Sequence, residues 1–140
     1  MSHPMKVLFV CLHGAAKSVI AAEHFRRAAA AAGLDVEVAS AGVEPDAEIP
    51  PPVVRGLADE GFDITGLFPP ALDDTSLASA DLIVSFGCDL VAPPTSRPVV
   101  RWDDVPLVSD GYEAARDTIV QRVDALVAAE LSDRARASGD

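Results

Sequence analysis

A thiol, a cation and a hydroxyl stand close together near the start of the chain, in Cys11-Leu12-His13-Gly14-Ala15-Ala16-Lys17-Ser18. The thiol of Cys11 becomes a nucleophile once ionised, Lys17 carries positive charge, and the small residues between them let backbone amides approach a ligand closely. An apolar run, Val7-Leu8-Phe9-Val10, leads into Cys11, and Ala-rich sequence follows Ser18. That order reads as strand, loop and helix. In such a unit the loop amides and the positive end of the helix dipole converge on one point, which suits an oxyanion and favours a thiolate. Cys11 has two readings: a small buried hydrophobe at a strand end, or a nucleophile facing a bound anion. Its place ahead of a helix, with a cation nearby, favours the second.

The elements that must position this loop follow from periodicity. Met5–Val10 reads as a strand buried on both faces. Ser18 to Ala32 reads as a helix with Ala21, Phe25, Ala28 and Ala32 on one side and Gly33 as its stop. Val36–Ala39 is a second strand, Gly42 to Pro52 an acidic, Pro-rich loop, and Pro52 to Glu60 a helix ending at Gly61. Gly66 to Thr75 reads as loop, Asp81–Phe86 as a third strand ending at Gly87-Cys88, and Pro93-Pro94 as a break. Val99–Trp102 is a fourth strand ending at Asp103-Asp104, and Tyr112 to Leu131 a helix with Ile119, Val123, Leu126 and Val127 on one stripe. Residues 132–140 are polar and read as a frayed tail of a single domain spanning 1–140. Strands alternating with helices predict an α/β, three-layer fold: a four-stranded parallel sheet with helices on both faces. In such sheets ligands bind beyond the carboxyl ends of the strands, where Cys11, Cys88 and Trp102-Asp103-Asp104 all fall.

Composition narrows the choice of partner. The chain has 140 residues, 49% of them hydrophobic, and a net charge of −11 from 11 Lys plus Arg against 22 Asp plus Glu. An acidic surface argues against nucleic acid and anionic membranes as partners, so an anion must be bound by a local positive feature. Two cysteines far apart, with no CxxC pair, make neither a disulfide framework nor a zinc site. The apolar run is too short for a signal segment or a membrane span, and a cytoplasmic protein with reduced thiols is the expectation.

Cys11, five intervening residues, Lys17 and Ser18 after Val-Leu-Phe-Val resemble the phosphate loop of the low-molecular-weight protein tyrosine phosphatases and the related arsenate reductases. Further segments are similar in the same order: Ser40-Ala41-Gly42 as a turn after the second strand, Pro52-Val53-Val54 through Leu57, Gly61 and Asp63-Ile64, and Ala80-Asp81-Leu82-Ile83-Val84 as the third strand. The resemblance implies that Cys11 attacks phosphorus or arsenic and forms a covalent intermediate. It implies that Leu12, His13, Gly14, Ala15 and Ala16 hold the oxyanion with Lys17, and that the Ser18 hydroxyl bonds the cysteine sulfur. Ser18 also suits a helix cap. The family's basic residue is normally arginine, a planar two-pronged donor; Lys17 offers a point charge instead and resembles some arsenate reductases in this. His13-Gly14 stands where the family usually has glycine–asparagine. His3 and His24 are given no role.

The same resemblance implies an aspartate as proton donor after the fourth strand. In Trp102-Asp103-Asp104-Val105-Pro106, Asp104 is the first choice and Asp103 the second, against the plainer reading of both as loop carboxylates. Trp102 reads either as a pocket wall or as core. Ser85-Phe86-Gly87-Cys88 resembles the segment carrying the first redox cysteine of the arsenate reductases, so Cys88 is either a resolving thiol or a buried strand-end residue. No further cysteine lies between Asp89 and Thr95, so a small-molecule thiol would have to complete a reductase cycle. The expectation is a phosphatase-like enzyme acting on a phosphate-type oxyanion or a phosphorylated substrate, without metal or organic cofactor. Arsenate reduction through Cys11 and Cys88 is the nearest alternative, followed by a phosphocysteine carrier or an oxyanion-binding protein.

Overall fold

A computed structural model describes residues 4–87 and 99–138. In chain order it contains β1 (Met5–Cys11), α1 (Lys17–Ala31), β2 (Val36–Gly42), α2 (Pro51–Asp59), α3 (Asp74–Ser79), β3 (Leu82–Ser85), β4 (Val99–Arg101), a 3-10 turn over Val108–Asp110, and α4 (Tyr112–Ser138). The strands form one sheet in the order β2-β1-β3-β4, parallel throughout. Cys88 and Pro93-Pro94 lie outside the described residues.

β1 sits between β2 and β3 and has helices on both faces, which is why it reads as an unbroken apolar run. Side chains alternate across a strand. Val7, Phe9 and Cys11 therefore join α1, α2 and α4 in the larger core, with Phe25, Leu57, Ile119 and Val123. Leu8 and Val10 point the other way and pack with Ile83, Ala41 and Leu77 of α3. Phe9 is the centre of the first cluster, with its ring 5.7 Å from that of Phe25 and 5.8 Å from that of Trp102. Full burial of a side chain like Phe9 contributes on the order of 1.5–3 kcal/mol.

Three differences from the sequence reading have physical causes. β2 continues to Gly42, so Ser40, Ala41 and Gly42 are strand residues paired with Phe9, Val10 and Cys11 rather than a turn after the strand. α3 lies in and just after a segment read as loop; it is short, only Leu77 is buried, and its one clear signal is Asp73, whose carboxylate accepts from the Ser76 N–H at 2.7 Å. α4 runs past Leu131 to Ser138. Ser132 and Asp133 are exposed there, and an i,i+4 pair joins Arg134 to Glu130 at 3.5 Å. Among the described residues no helix is long and apolar enough to cross a membrane.

Candidate active site

The parity of β1 decides where the thiol goes. Cys11 is the strand's last residue and points to the α1 side, where its Sγ lies 3.0 Å from Ser18 Oγ with both residues buried. Ser18 is the second residue of α1; the N-cap is Ala16, with no side-chain cap bond. The expected capping role is therefore corrected, because the hydroxyl is engaged by sulfur.

The loop between them is braced from one side. Its carbonyls at Cys11, Leu12 and His13 accept from the N–H groups of Val43 (3.2 Å), Glu44 (2.7 Å) and Asp46 (3.0 Å). In a trans peptide the N–H points opposite to the C=O it shares a plane with, so the amides of Leu12, His13 and Gly14 turn away from that segment. The first α1 amide bonded within the helix is that of Ile20, to Ala16 at 2.9 Å. Lys17, Ser18 and Val19 thus supply the first-turn donors on which an anion can sit. Gly14 has φ +64, and a Cβ on it would lie 2.6 Å from the Gly42 nitrogen. Only a pair of glycines allows loop and β2 to approach so closely.

A cleft of about 1030 Å³ opens above this loop. Cys11, Leu12, His13, Ala15, Ala16 and Lys17 line it, with apolar walls from Phe86, Leu107 and Tyr112 among others. Among the described residues Lys17 pairs with no carboxylate, leaving its charge for a ligand. His13 Nδ1 is 3.3 Å from both Asp46 Oδ1 and the Glu44 carbonyl, at the exposed rim. Among the described residues no group of three or more His, Cys, Asp or Glu is arranged to hold a metal ion.

The expected acid group is placed differently. Neither Asp104 nor Asp103 lines the cleft, whereas Asp110 does. The carboxylate of Asp104 pairs with Arg122 on the exposed side of α4. Asp103 accepts from Arg101 Nε at 3.1 Å, and its Oδ1 would be 3.8 Å from a Cβ on the cleft residue Gly87. Trp102 is core rather than wall: it is 5% exposed and stacks edge-on against Phe86 at 5.5 Å.

Sequence reading missed a cluster behind the cleft. The Glu60 carboxylate accepts from Tyr112 Oη (3.0 Å), Arg116 Nε (2.5 Å) and His24 Nε2 (3.3 Å). Burial holds His24 below its usual pKa despite the nearby carboxylate, so the neutral ring donates through Nε2. Burial pushes Glu60 the opposite way, up, but bonds from Arg116 and Tyr112 and the proximity of His24 outweigh it and keep Glu60 ionised. Burial, and then the bond to Glu60, hold the Tyr112 phenol well above its ordinary range. The partners come from α1 and α4 and meet Glu60 just past the end of α2, so spacing along the chain gave no sign of them.

A parallel sheet whose first strand delivers a cysteine to a loop and a helix N-terminus defines the class of α/β proteins to which this chain's fold belongs. The chain belongs to the family described as low molecular weight phosphotyrosine protein phosphatase, which matches residues 6–91. A protein of Halobacterium salinarum named "Putative arsenate reductase" is 30% identical over 125 residues, covering 82% of this chain and 85% of that protein. The structure of a thioredoxin-dependent arsenate reductase from Corynebacterium glutamicum has a TM-score of 0.77 at 31% identity; the match covers 94% of this chain but only 64% of that one. An arsenate reductase from Archaeoglobus fulgidus gives a TM-score of 0.71 at 33% identity, covering 87% and 98% of the two chains.

Proposed function

We propose that Cys11 attacks a tetrahedral phosphate-type oxyanion seated on the 12–18 loop, and that the overall reaction is hydrolysis of a phosphate monoester. The supporting observation is the buried Cys11–Ser18 contact of 3.0 Å at the mouth of α1. In this reading Sγ forms a bond to phosphorus as the ester oxygen leaves and takes up a proton from an aspartic acid carboxyl. Water then attacks the phosphocysteine, gives its proton to the same carboxylate, and expels the thiolate. Lys17 and the loop amides stabilise the charge on the non-bridging oxygens. Ser18 donates to the departing sulfur. The cleft extends well beyond the loop with apolar walls, and a pocket of this size takes an organic group as well as the anion.

We assign the proton transfer to Asp103, with Asp104 as the competing choice. Hydrogen bonds from Phe86 N to the Val10 carbonyl (2.9 Å) and from Trp102 N to the Ser85 carbonyl (2.8 Å) carry the ladder past the strand ends. In this register Phe86 and then Trp102 are level with Cys11, and Gly87 and Asp103 stand together one residue further along, whereas Asp104 turns to Arg122. Turnover of phenyl phosphate and of para-nitrophenyl phosphate by Asp103→Asn, Asp104→Asn, Asp110→Asn and Cys11→Ser tests the scheme. Cys11→Ser should abolish both activities, and Asp103→Asn should depress the phenyl ester far more, because its poorer leaving group depends on the proton. The larger effect falling on Asp104→Asn or Asp110→Asn would move the acid role there.

Arsenate reduction is the second reading, favoured by the names of the three relatives and by Cys88, which follows the cleft residue Gly87. Cys11 would displace a water-equivalent oxygen from arsenate. A thiol attack on Sγ would then release arsenite, reducing As(V) to As(III) while two thiols become a disulfide. Incubation with arsenate plus glutathione or thioredoxin distinguishes the two: arsenite formation lost in Cys88→Ala supports reduction, and none in the wild type rules it out.

A further inference from the structure

One wall of the cleft, outside the cysteine loop, is supported by a built device. Tyr112, the first residue of α4, lines the cleft and lies flat against α2: a Cβ on Gly56 would come within 2.4 Å of the ring's Cζ and 2.6 Å of both Cε atoms. The ring thus occupies space that exists only because residue 56 has no side chain. Its hydroxyl is anchored in turn, donating to Glu60 Oε2 at 3.0 Å. Glu60 is itself fixed from α1 and α4, by His24 and Arg116 at its carboxylate and by Arg27 Nη1 at its carbonyl (2.6 Å). Arg27 stacks over the Phe62 ring at 4.0 Å, and His24 packs edge-on to the same ring at 4.8 Å. None of these groups belongs to the Cys11 loop. Their common effect is to hold one aromatic face at a set place in the cleft.

We propose that Glu60 is a positioning residue for substrate, acting through Tyr112: the pair sets how the cleft receives the organic group joined to the oxyanion, while the Cys11 loop binds the oxyanion itself. This rests on the oxyanion reading of Cys11 and adds to it a second, separable part of recognition. Tyr112 is no part of the Cys11 loop, so on this proposal the pair matters only for a ligand with a substituent. Tyr112→Phe removes one oxygen and frees the ring. Glu60→Gln leaves a carbonyl that still accepts from Tyr112, and Gly56→Ala forces the ring off α2.

Binding of inorganic phosphate and of phenylphosphonate, a stable tetrahedral oxyanion bearing an aryl group, is measured by calorimetry on the wild type and each variant. Phenylphosphonate should bind the wild type more tightly than phosphate. That preference should fall roughly 3- to 10-fold in Tyr112→Phe and Gly56→Ala, the scale of one lost hydrogen bond, and less in Glu60→Gln. Phosphate affinity should stay within about twofold throughout, and Tyr112→Phe combined with Glu60→Gln should lose no more than Tyr112→Phe alone. An unchanged preference in Tyr112→Phe overturns the proposal. So does a parallel loss of phosphate affinity, which would mean that the cluster supports the fold or the loop instead of the wall. A wild type that binds neither ligand refutes the oxyanion reading, a result distinct from both.

Discussion

Gly42→Ala is the sharpest test of how the cradle is built. A Cβ on Gly42 would stand 2.6 Å from the Gly14 nitrogen and the His13 carbonyl carbon, and 2.8 Å from Gly14 Cα, where ordinary contact begins at 3.4 Å. Loop and strand must therefore part by about 0.8 Å, and every atom met is backbone, so no side chain can swing aside. Neither partner moves freely. Gly42 N donates to the Pro70 carbonyl at 2.9 Å, its own carbonyl accepts from Leu72 at 2.9 Å, and Val43 N holds the Cys11 carbonyl at 3.2 Å. Displacement of a binding group by about 1 Å costs on the order of 100-fold in rate, and overpacking costs about 1–3 kcal/mol in stability. Gly42→Ala should lower phosphate affinity and turnover by roughly 10- to 100-fold, read by calorimetry and para-nitrophenyl phosphate hydrolysis, with a lower Tm. Gly33→Ala is the control: with φ +76 but nothing within 4 Å, it should lower Tm and leave phosphate binding intact. Phosphate affinity within twofold of wild type in Gly42→Ala would refute the close-approach reasoning.

Ser18→Ala removes the hydroxyl 3.0 Å from Sγ; a bond to a charged group is worth about 1.5–3 kcal/mol, so thiolate expulsion should slow roughly 10- to 100-fold, seen as phosphocysteine accumulating in rapid-quench mass spectrometry. Lys17→Arg should raise para-nitrophenyl phosphate turnover by about tenfold, since a planar fork grips two oxygens where an ammonium grips one; unchanged kinetics would show that the side chain does not reach the anion. The fold should lose stability in acid. His24 is held below 6.5, chiefly by burial, and Glu60 below 4.5, by Arg116, Tyr112 and His24 against the upward push of burial. The unfolded chain therefore takes up protons that the folded one refuses. Tm should be level above about pH 7, decline below 6.5 as the unfolded-state histidine charges, and decline further through the carboxylate range as pH falls towards the folded-state pKa of Glu60. Glu60→Gln should flatten the lower limb, and a Tm constant from pH 7 to 4 would contradict the placement of both groups.

What could be read beforehand divides along a physical line. β1, α1 and the thiol between them were legible because a strand covered on both faces leaves an unbroken apolar run, and because a helix start, small residues and a cation are local features. The same holds for α4, whose stripe of Ile119, Val123 and Val127 is buried as expected. Features made by distant partners were not legible. His24 looks like any helical histidine until Glu60 and Phe62 close over it, and Tyr112 gains its place only from the absence of a side chain at Gly56. For Trp102 the sequence favours core, as a Trp at a strand end usually is, and leaves a pocket reading beside it. Phe9 in β1 and Phe86 just past the end of β3 decide for core. Asp103 and Asp104 are adjacent and identical in type, and only the arginines they meet, Arg101 and Arg122, tell them apart.

The acidity of the chain and the proposed anion-holding role of the loop are compatible because they act over different distances. A net charge of −11 sets up a field that disfavours the approach of any anion. At physiological ionic strength that field decays over about 8 Å, so most surface carboxylates act weakly on an anion already seated. Nearer groups decide the seated state. At contact distance a single charge pair near a protein surface is worth about 4 kcal/mol before desolvation, and in the proposed site Lys17 and the first-turn amides of α1 are the groups that would meet the anion. Of the carboxylates on the cleft, Asp46 lies 3.3 Å from His13 Nδ1 at the exposed rim. Net charge thus argues against a polyanionic partner, which must lie along a wide surface. It does not argue against a small oxyanion, which needs only the floor of one cleft.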